Sequence, residues 1–188
     1  MGPDVTRIYM VRHGRAEAGF GESMDPGLDT LGHSQADEVA KKFANLGPLP
    51  IISSPLKRTR ETAAPLAKLW SVEPVIEKAV AEIPSPWGMT LDARVAWLRN
   101  LMGGTWRDSA RDLAEWREDC IASVTEISRD TVIFSHYVAI NVIFGAATGD
   151  HRVVAFSPDN CSVTVFETDG SSLRLIEKGA EESLTKVN

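Results

Sequence analysis

Cysteine is nearly absent from this 188-residue chain: Cys120 and Cys161 are the only two, forty-one residues apart and in no CxxC pair. That usage offers neither a zinc cluster nor a disulfide framework, and it predicts two reduced, mostly buried thiols. No apolar run approaches the roughly eighteen residues that span a bilayer, and the first residues hold no apolar leader segment. No membrane partner is therefore expected, and the cytoplasm is the expected compartment. No basic run occurs either. With 20 Lys+Arg against 26 Asp+Glu the net charge is −6, a poor surface for nucleic acid. The four histidines, His13, His33, His136 and His151, form no HExxH pair, so no metal is expected. No GxGxxG or Walker-type loop is present, and no cofactor of any kind is expected. Asn160-Cys161-Ser162 has the form of a glycosylation sequon, in a chain with no other sign of secretion.

What the chain does contain is the ordinary material of a globular core, 43 % hydrophobic residues with 24 % charged. No repeat, low-complexity tract or Gly/Ser linker divides it, so one domain over residues 1–188 is expected. Val5–Val11 is an apolar, β-branched strand candidate that runs into Arg12-His13-Gly14. Ala36, Val39, Ala40 and Phe43 then recur at helical spacing. Residues 50–53 make a short strand, with Ser54 and Pro55 read as N-cap and first position of a second helix. The proline-rich 82–88 stretch is irregular. Stripes through Leu91–Met102 and Leu113–Ile127 predict two more helices. Thr131–Phe134 is a buried strand leading to Ser135-His136 and an apolar helix over 137–147. Val153–Phe156, Ser162–Glu167 and Leu173–Glu177 are read as closing strands, the last two joined by an Asp169-Gly170 turn. The alternation predicts an α/β fold, a three-layer α/β/α sandwich with a mainly parallel central sheet and an antiparallel edge.

Three of these strands each lead to a basic or imidazole residue: Arg12-His13, Arg58 and His136. In open α/β sheets, ligands bind beyond the carboxyl ends of the strands. If the three strands are neighbours, two guanidiniums and two imidazoles converge, with a helix N-terminus beside Arg58 adding positive potential. Such a cluster repels itself unless an anion fills it. A phosphoryl group, dianionic and able to accept paired guanidinium hydrogen bonds, is the best-matched guest. Each cation about 4 Å away contributes on the order of 4 kcal/mol at an effective dielectric of 20, before desolvation.

These residues resemble the histidine phosphatase superfamily, which includes the cofactor-dependent phosphoglycerate mutases. Arg12-His13-Gly14 is similar to its signature, Leu31-Gly32-His33-Ser34-Gln35-Ala36 to its LGxxQA helix start, residues 53–62 (SSPLKRTRET) to its SSPLxRxxET segment, and Ser135-His136 to its second-histidine motif. The resemblance implies that His13 is a nucleophile forming a transient phosphohistidine, that Arg12 and Arg58 clamp the transferring oxygens, and that a charged His136 stabilises the transition state. It also implies a proton donor about two dozen residues after the helix arginine. Glu82, 24 residues after Arg58 and ahead of Pro84 and Pro86, fits that position, with Glu77 as the alternative and Glu73 as a turn residue. Its pKa is expected to be raised by partial burial. Tyr137, through its backbone N–H, and Trp87, on the proline loop, are expected substrate contacts.

The chain also departs from the family pattern. Arg15 stands where Glu or Gln often follows RHG, Ala16 and Gly19 replace the mutases' Ser and Asn, and Tyr137 replaces a common Gly. Fewer than fifty residues separate Glu82 from Thr131, little room for the insert with which mutases enclose phosphoglycerate. The expected function is thus a metal-independent phosphatase acting on a phosphate monoester. A small phosphorylated metabolite is the expected partner ahead of a phosphoprotein. A mutase, a phosphohistidine phosphatase and a catalytically silent phosphate-binding module are the alternatives.

Overall fold

The computed structural model describes residues 5–18 and 22–183, so Gly19 lies outside the described residues. Six strands form one sheet in the order β3-β2-β4-β1-β5-β6: β1 (Thr6–Arg12), β2 (Ile51–Ser53), β3 (Val75–Ile76), β4 (Thr131–Ser135), β5 (Val163–Thr168) and β6 (Leu173–Glu177). β3, β2, β4 and β1 pair in parallel, whereas β5 runs antiparallel to both β1 and β6. Five helices cover it: α1 (Thr30–Phe43), α2 (Lys57–Trp70), α3 (Leu91–Met102), α4 (Arg111–Thr125) and α5 (Tyr137–Thr148).

The period-two alternation of the strands divides the core into two layers. Ile8, Met10, Ile133 and Phe166 pack with Leu98, Leu113, Cys120 and the α5 residues Val138 to Ile143. Val11, Val132, Phe134 and Ile51 face the other way, against Val39, Phe43, Leu66 and Trp70 of α1 and α2. The sheet is thus sandwiched between α1/α2 and α3/α4/α5. Every residue of β4 is buried, because β4 has strands on both edges and helices on both faces. Both cysteines are free and buried, and burial pushes each thiol up to about 12.

Two expected elements take another form. Val153–Phe156 is not a strand. The buried Asn141 of α5 accepts from the N–H groups of Ala155 (2.8 Å) and Phe156 (3.1 Å) and donates to the Phe156 carbonyl (3.0 Å), so one side chain takes the polar groups a ladder would have paired. The second helix starts at Lys57 with Leu56 as its N-cap, not after Ser54, whose hydroxyl accepts from Leu56 N–H (3.1 Å) in the turn ahead of the helix and also meets His136. The two-residue edge strand β3 has too little apolar pattern to stand out in the sequence.

Two glycines bring the motif segments together. A Cβ on Gly14 would lie 2.7 Å from the Gly32 carbonyl oxygen, and one on Gly32 would lie 2.2 Å from that of Arg15. Only glycine at both positions lets the turn after β1 touch the first turn of α1. The contact is fastened by Gln35, which accepts from Arg15 N–H at 2.9 Å, and by Asp29, which caps α1 at Gly32 N–H. The RHG turn and the LGxxQA helix start therefore form one structural unit.

Candidate active site

β2, β4 and β1 are consecutive in the sheet, and their carboxyl ends deliver Arg58, His136 and Arg12-His13 to one place. His13 is held from both sides of its backbone, by its own N–H to Ser135 O (3.1 Å) and by Asn160 Nδ2 to its carbonyl (3.0 Å). Its Nδ1 lies 2.7 Å from Gly14 O. A carbonyl only accepts, so Nδ1 carries the proton and Nε2 keeps its lone pair. That lone pair accepts from Arg58 Nε at 3.2 Å. Burial, then the charges of Arg58 and Arg12, lower the His13 pKa to about 3, so the ring is neutral at neutral pH.

His136 is fully buried, with its ring centroid 5.3 Å from that of His13. Nε2 meets Ser54 Oγ at 2.7 Å, and its buried Nδ1 has no hydrogen-bond partner among the described residues. Burial, followed by Arg58, His13 and Arg12, holds its pKa well below the usual imidazole range. The ring is therefore neutral at neutral pH in this structure.

Arg58 lies in the first turn of α2 and is itself buried, whereas Arg60, two residues on, faces solvent. Thr62 ties its turn to the RHG loop, donating to Arg58 O (2.6 Å) and accepting from Gly14 N–H (3.0 Å). Arg12 lies over the Tyr137 ring, 5.0 Å from its centroid. Glu82 is buried at the N-terminus of α5. Its carboxyl accepts from Val138 N–H (3.1 Å), Ala139 N–H (3.3 Å) and Ile83 N–H (3.1 Å). Burial raises its pKa, opposed by those N–H groups and by the Arg58 and Arg12 charges. Glu77 instead caps a local turn, accepting from Ala79 N–H at 2.9 Å.

A cavity of about 280 Å³ is lined by Arg12, His13, Arg58, Arg94, Tyr137 and Asn160. A second, of about 220 Å³, touches Arg12, Tyr137 and Glu82. Trp87 lines neither: its side chain is fully solvent-exposed, because the proline loop turns it outward. Sequence reasoning missed Ser54, which was read as a cap, and Asn160, whose only signal was a sequon that pointed elsewhere. Among the described residues no three His, Cys, Asp or Glu side chains converge as metal ligands would.

Two arginines and two buried imidazoles at the strand ends, with a buried carboxyl alongside, define a phosphate-handling enzyme of the histidine class. Its affiliation follows from the comparisons. The profile of the histidine phosphatase superfamily (branch 1) matches residues 8–180, and the chain belongs to that family. Over 160 residues it is 34 % identical to the glucosyl-3-phosphoglycerate phosphatase of Mycolicibacterium vanbaalenii, covering 80 % of this chain and 68 % of that one. It is 27 % identical over 161 residues to a probable phosphoglycerate mutase of Escherichia fergusonii, covering 76 % and 75 %. The phosphoserine phosphatase of Entamoeba histolytica, solved with 3-phosphoglyceric acid, shares the fold with a TM-score of 0.74 at 21 % identity, over 94 % of this chain and 98 % of that one. With this family over most of its length and a phosphatase among its relatives, the chain is a phosphoric monoester hydrolase.

Proposed function

We propose that this one domain hydrolyses the phosphate monoester of a small metabolite through phospho-His13, with Arg12, Arg58 and His136 holding the phosphoryl group and Glu82 serving as acid and then base. The observation that carries the reading is the tautomer of His13: with Nδ1–H fixed on Gly14 O, Nε2 is an unprotonated nucleophile at neutral pH, facing the arginine cluster. The Nε2 lone pair forms the N–P bond as the P–O bond to the alcohol breaks, and the leaving oxygen takes the electron pair and the Glu82 proton. Water then attacks phosphorus and gives a proton to the Glu82 carboxylate. The N–P electron pair returns to Nε2, and phosphate departs. Arg58, whose Nε donates to His13 Nε2, moves its donors to the phosphoryl oxygens, and the His136 Nδ1 that has no partner among the described residues gains an oxygen partner there.

A cavity of about 280 Å³ suits a small metabolite better than a phosphoprotein loop. Relatives named for glucosyl-3-phosphoglycerate and for phosphoglycerate favour a phosphorylated hydroxy acid or sugar among such metabolites. Two free, buried thiols fit a reducing, cytoplasmic setting, and among the described residues no helix is long and apolar enough to cross a membrane.

The test is turnover of a chromogenic aryl phosphate in excess chelator, with rapid quenching to trap an acid-labile, base-stable phosphoenzyme. Wild type should turn over and trap the intermediate. His13→Ala should do neither, a loss of at least about 10³-fold, while keeping its fold. Wild-type rates in His13→Ala overturn the reading.

A further inference from the structure

After β6 the chain folds back onto the segment that follows α5. Asp159 N–H donates to Ala180 O (2.9 Å), Glu182 N–H donates to Ser157 O (2.8 Å), and Glu181 accepts from Ser157 N–H (3.1 Å). Pro158 and Glu181 form an isolated bridge, so residues 157–159 and 180–182 lie side by side. This short strap sets two acceptors against one nitrogen of Arg12: Nη1 donates to the Pro158 carbonyl at 2.8 Å and to the Glu182 carboxylate. The strap also reaches the support beneath the guanidinium. Tyr137, whose ring lies under Arg12, donates its hydroxyl to Ser157 Oγ at 2.9 Å.

The division of donors on Arg12 is informative. A guanidinium offers a side-on fork made of Nε and Nη2, and Nη1 is not part of it. Here Nη1 is consumed by the strap, while Nε is buried and has no partner among the described residues. An arginine that lines the cavity with Nη1 tied back and Nε without a partner among the described residues is set to offer its side-on fork to a two-oxygen acceptor.

We propose that Glu182 is a positioning residue for phosphoryl transfer, fixing Arg12 through Nη1 so that the Nε/Nη2 fork faces the phosphoryl oxygens; this rests on the proposed role of Arg12. Glu182 touches no reacting atom. Its side chain is 43 % exposed, and an ion pair at such a position adds little to folding stability, so its removal leaves the fold intact. Removal frees the guanidinium to turn, and an acceptor geometry that was set in advance must be ordered at binding. A carboxylate that merely stood in for phosphate on Arg12 would behave oppositely, since removing a competitor tightens phosphate binding.

The experiment compares wild type, Glu182→Ala and Glu182→Gln for inhibition by inorganic phosphate and by vanadate, for kcat and KM with an aryl phosphate, and for melting with and without phosphate. Glu182→Ala should melt as wild type does without ligand, lose most of the stabilisation given by phosphate, and weaken both inhibitors about 5- to 20-fold. Glu182→Gln keeps an acceptor oxygen and should recover part of that loss. Unchanged or tighter phosphate and vanadate binding in Glu182→Ala overturns the proposal, even where wild type turns over normally. If wild type neither binds phosphate nor turns over the ester, the proposed function falls and this role falls with it.

Discussion

The floor of the site consists of His13 and Arg58, which line the first cavity, His136 beside His13, and Glu82 at the second cavity; all four are between 0 % and 7 % exposed, and motif or backbone groups hold their positions. At its mouth, Arg15 pairs with Asp29 on an open surface and Glu182 rests on Arg12 half in water, while Trp87, which lines neither cavity, stands in solvent. The floor sets the Arg58 charge beside two imidazoles that burial keeps neutral, so protonating either ring in that poorly hydrated space is costly. The mouth has no comparable constraint. Substitutions on the floor should therefore change chemistry and acid stability, whereas those at the mouth should change affinity by modest factors or nothing at all.

The largest effect after loss of the nucleophile should come from Glu82→Gln, which keeps size and one acceptor oxygen but removes the transferable proton. An alkyl monoester expels a strongly basic alkoxide and needs that proton, whereas an activated aryl ester expels a stable phenolate. Single-turnover phosphorylation of alkyl esters should fall about 10²- to 10⁴-fold, roughly 3 to 5 kcal/mol of barrier, and that of aryl esters much less. Equal losses for both classes would reduce Glu82 to a cap for α5. The proton donor would then have to be sought on the substrate, since Glu77 is engaged with Ala79 N–H.

The floor was also the more legible region. Val5–Val11, residues 50–53 and Thr131–Phe134 are read as strands from short-range pattern, and each is immediately followed by its functional residue or leads to it within one turn. Position along the chain was enough to place His13, Arg58 and His136 at strand ends. The convergence of β1, β2 and β4 as neighbours is then what parallel α/β topology supplies. Where the sequence misled, a long-range side chain was responsible. Asn141 dissolves the expected strand at Val153–Phe156, and Ser54 meets His136, 82 residues away, besides accepting from Leu56 N–H. Glu182 carried no signal, because its partner Arg12 lies 170 residues away and its position depends on a strap built from backbone hydrogen bonds.

A smaller effect should appear in acid. Unfolded imidazoles titrate near 6.5, whereas His13 titrates at about 3 in the fold and His136 well below its usual range. Between those limits the unfolded chain binds protons that the folded chain refuses. Their contribution to stability is thus fully present above pH 6.5 and is lost as pH falls toward 3, by up to about 1.4 kcal/mol per pH unit for each imidazole. Glu82 opposes this: its raised folded pKa favours the protonated carboxyl, a contribution lost as pH rises through that value. Urea midpoints at pH 7 and pH 5 should drop steeply for wild type and less for a His13→Gln/His136→Gln double variant. Phosphate should flatten the wild-type drop, since an anion lets the imidazoles take up protons. Equal slopes with and without the two histidines would mean that the floor is hydrated and not strained.

The smallest effect is expected at Trp87, where the sequence pointed to a substrate contact. Its indole is exposed in full, and the following Gly88 takes a positive φ of 76° in the turn that carries it. Trp87→Ala removes no buried area, so unfolding free energy should shift by no more than about 0.5 kcal/mol. With no contact to either cavity, it should change kcat/KM for a small aryl phosphate by less than about 2-fold, which is below 0.5 kcal/mol of transition-state binding. The informative comparison is with a bulkier ester that reaches past Tyr137 to the mouth. A loss of 10-fold or more confined to the bulky ester would mean that the 82–90 loop folds inward over a long substrate, bringing Trp87 from solvent onto it. A uniform loss for both esters would break the division between floor and mouth, because an exposed side chain would then be governing the chemistry of the buried one.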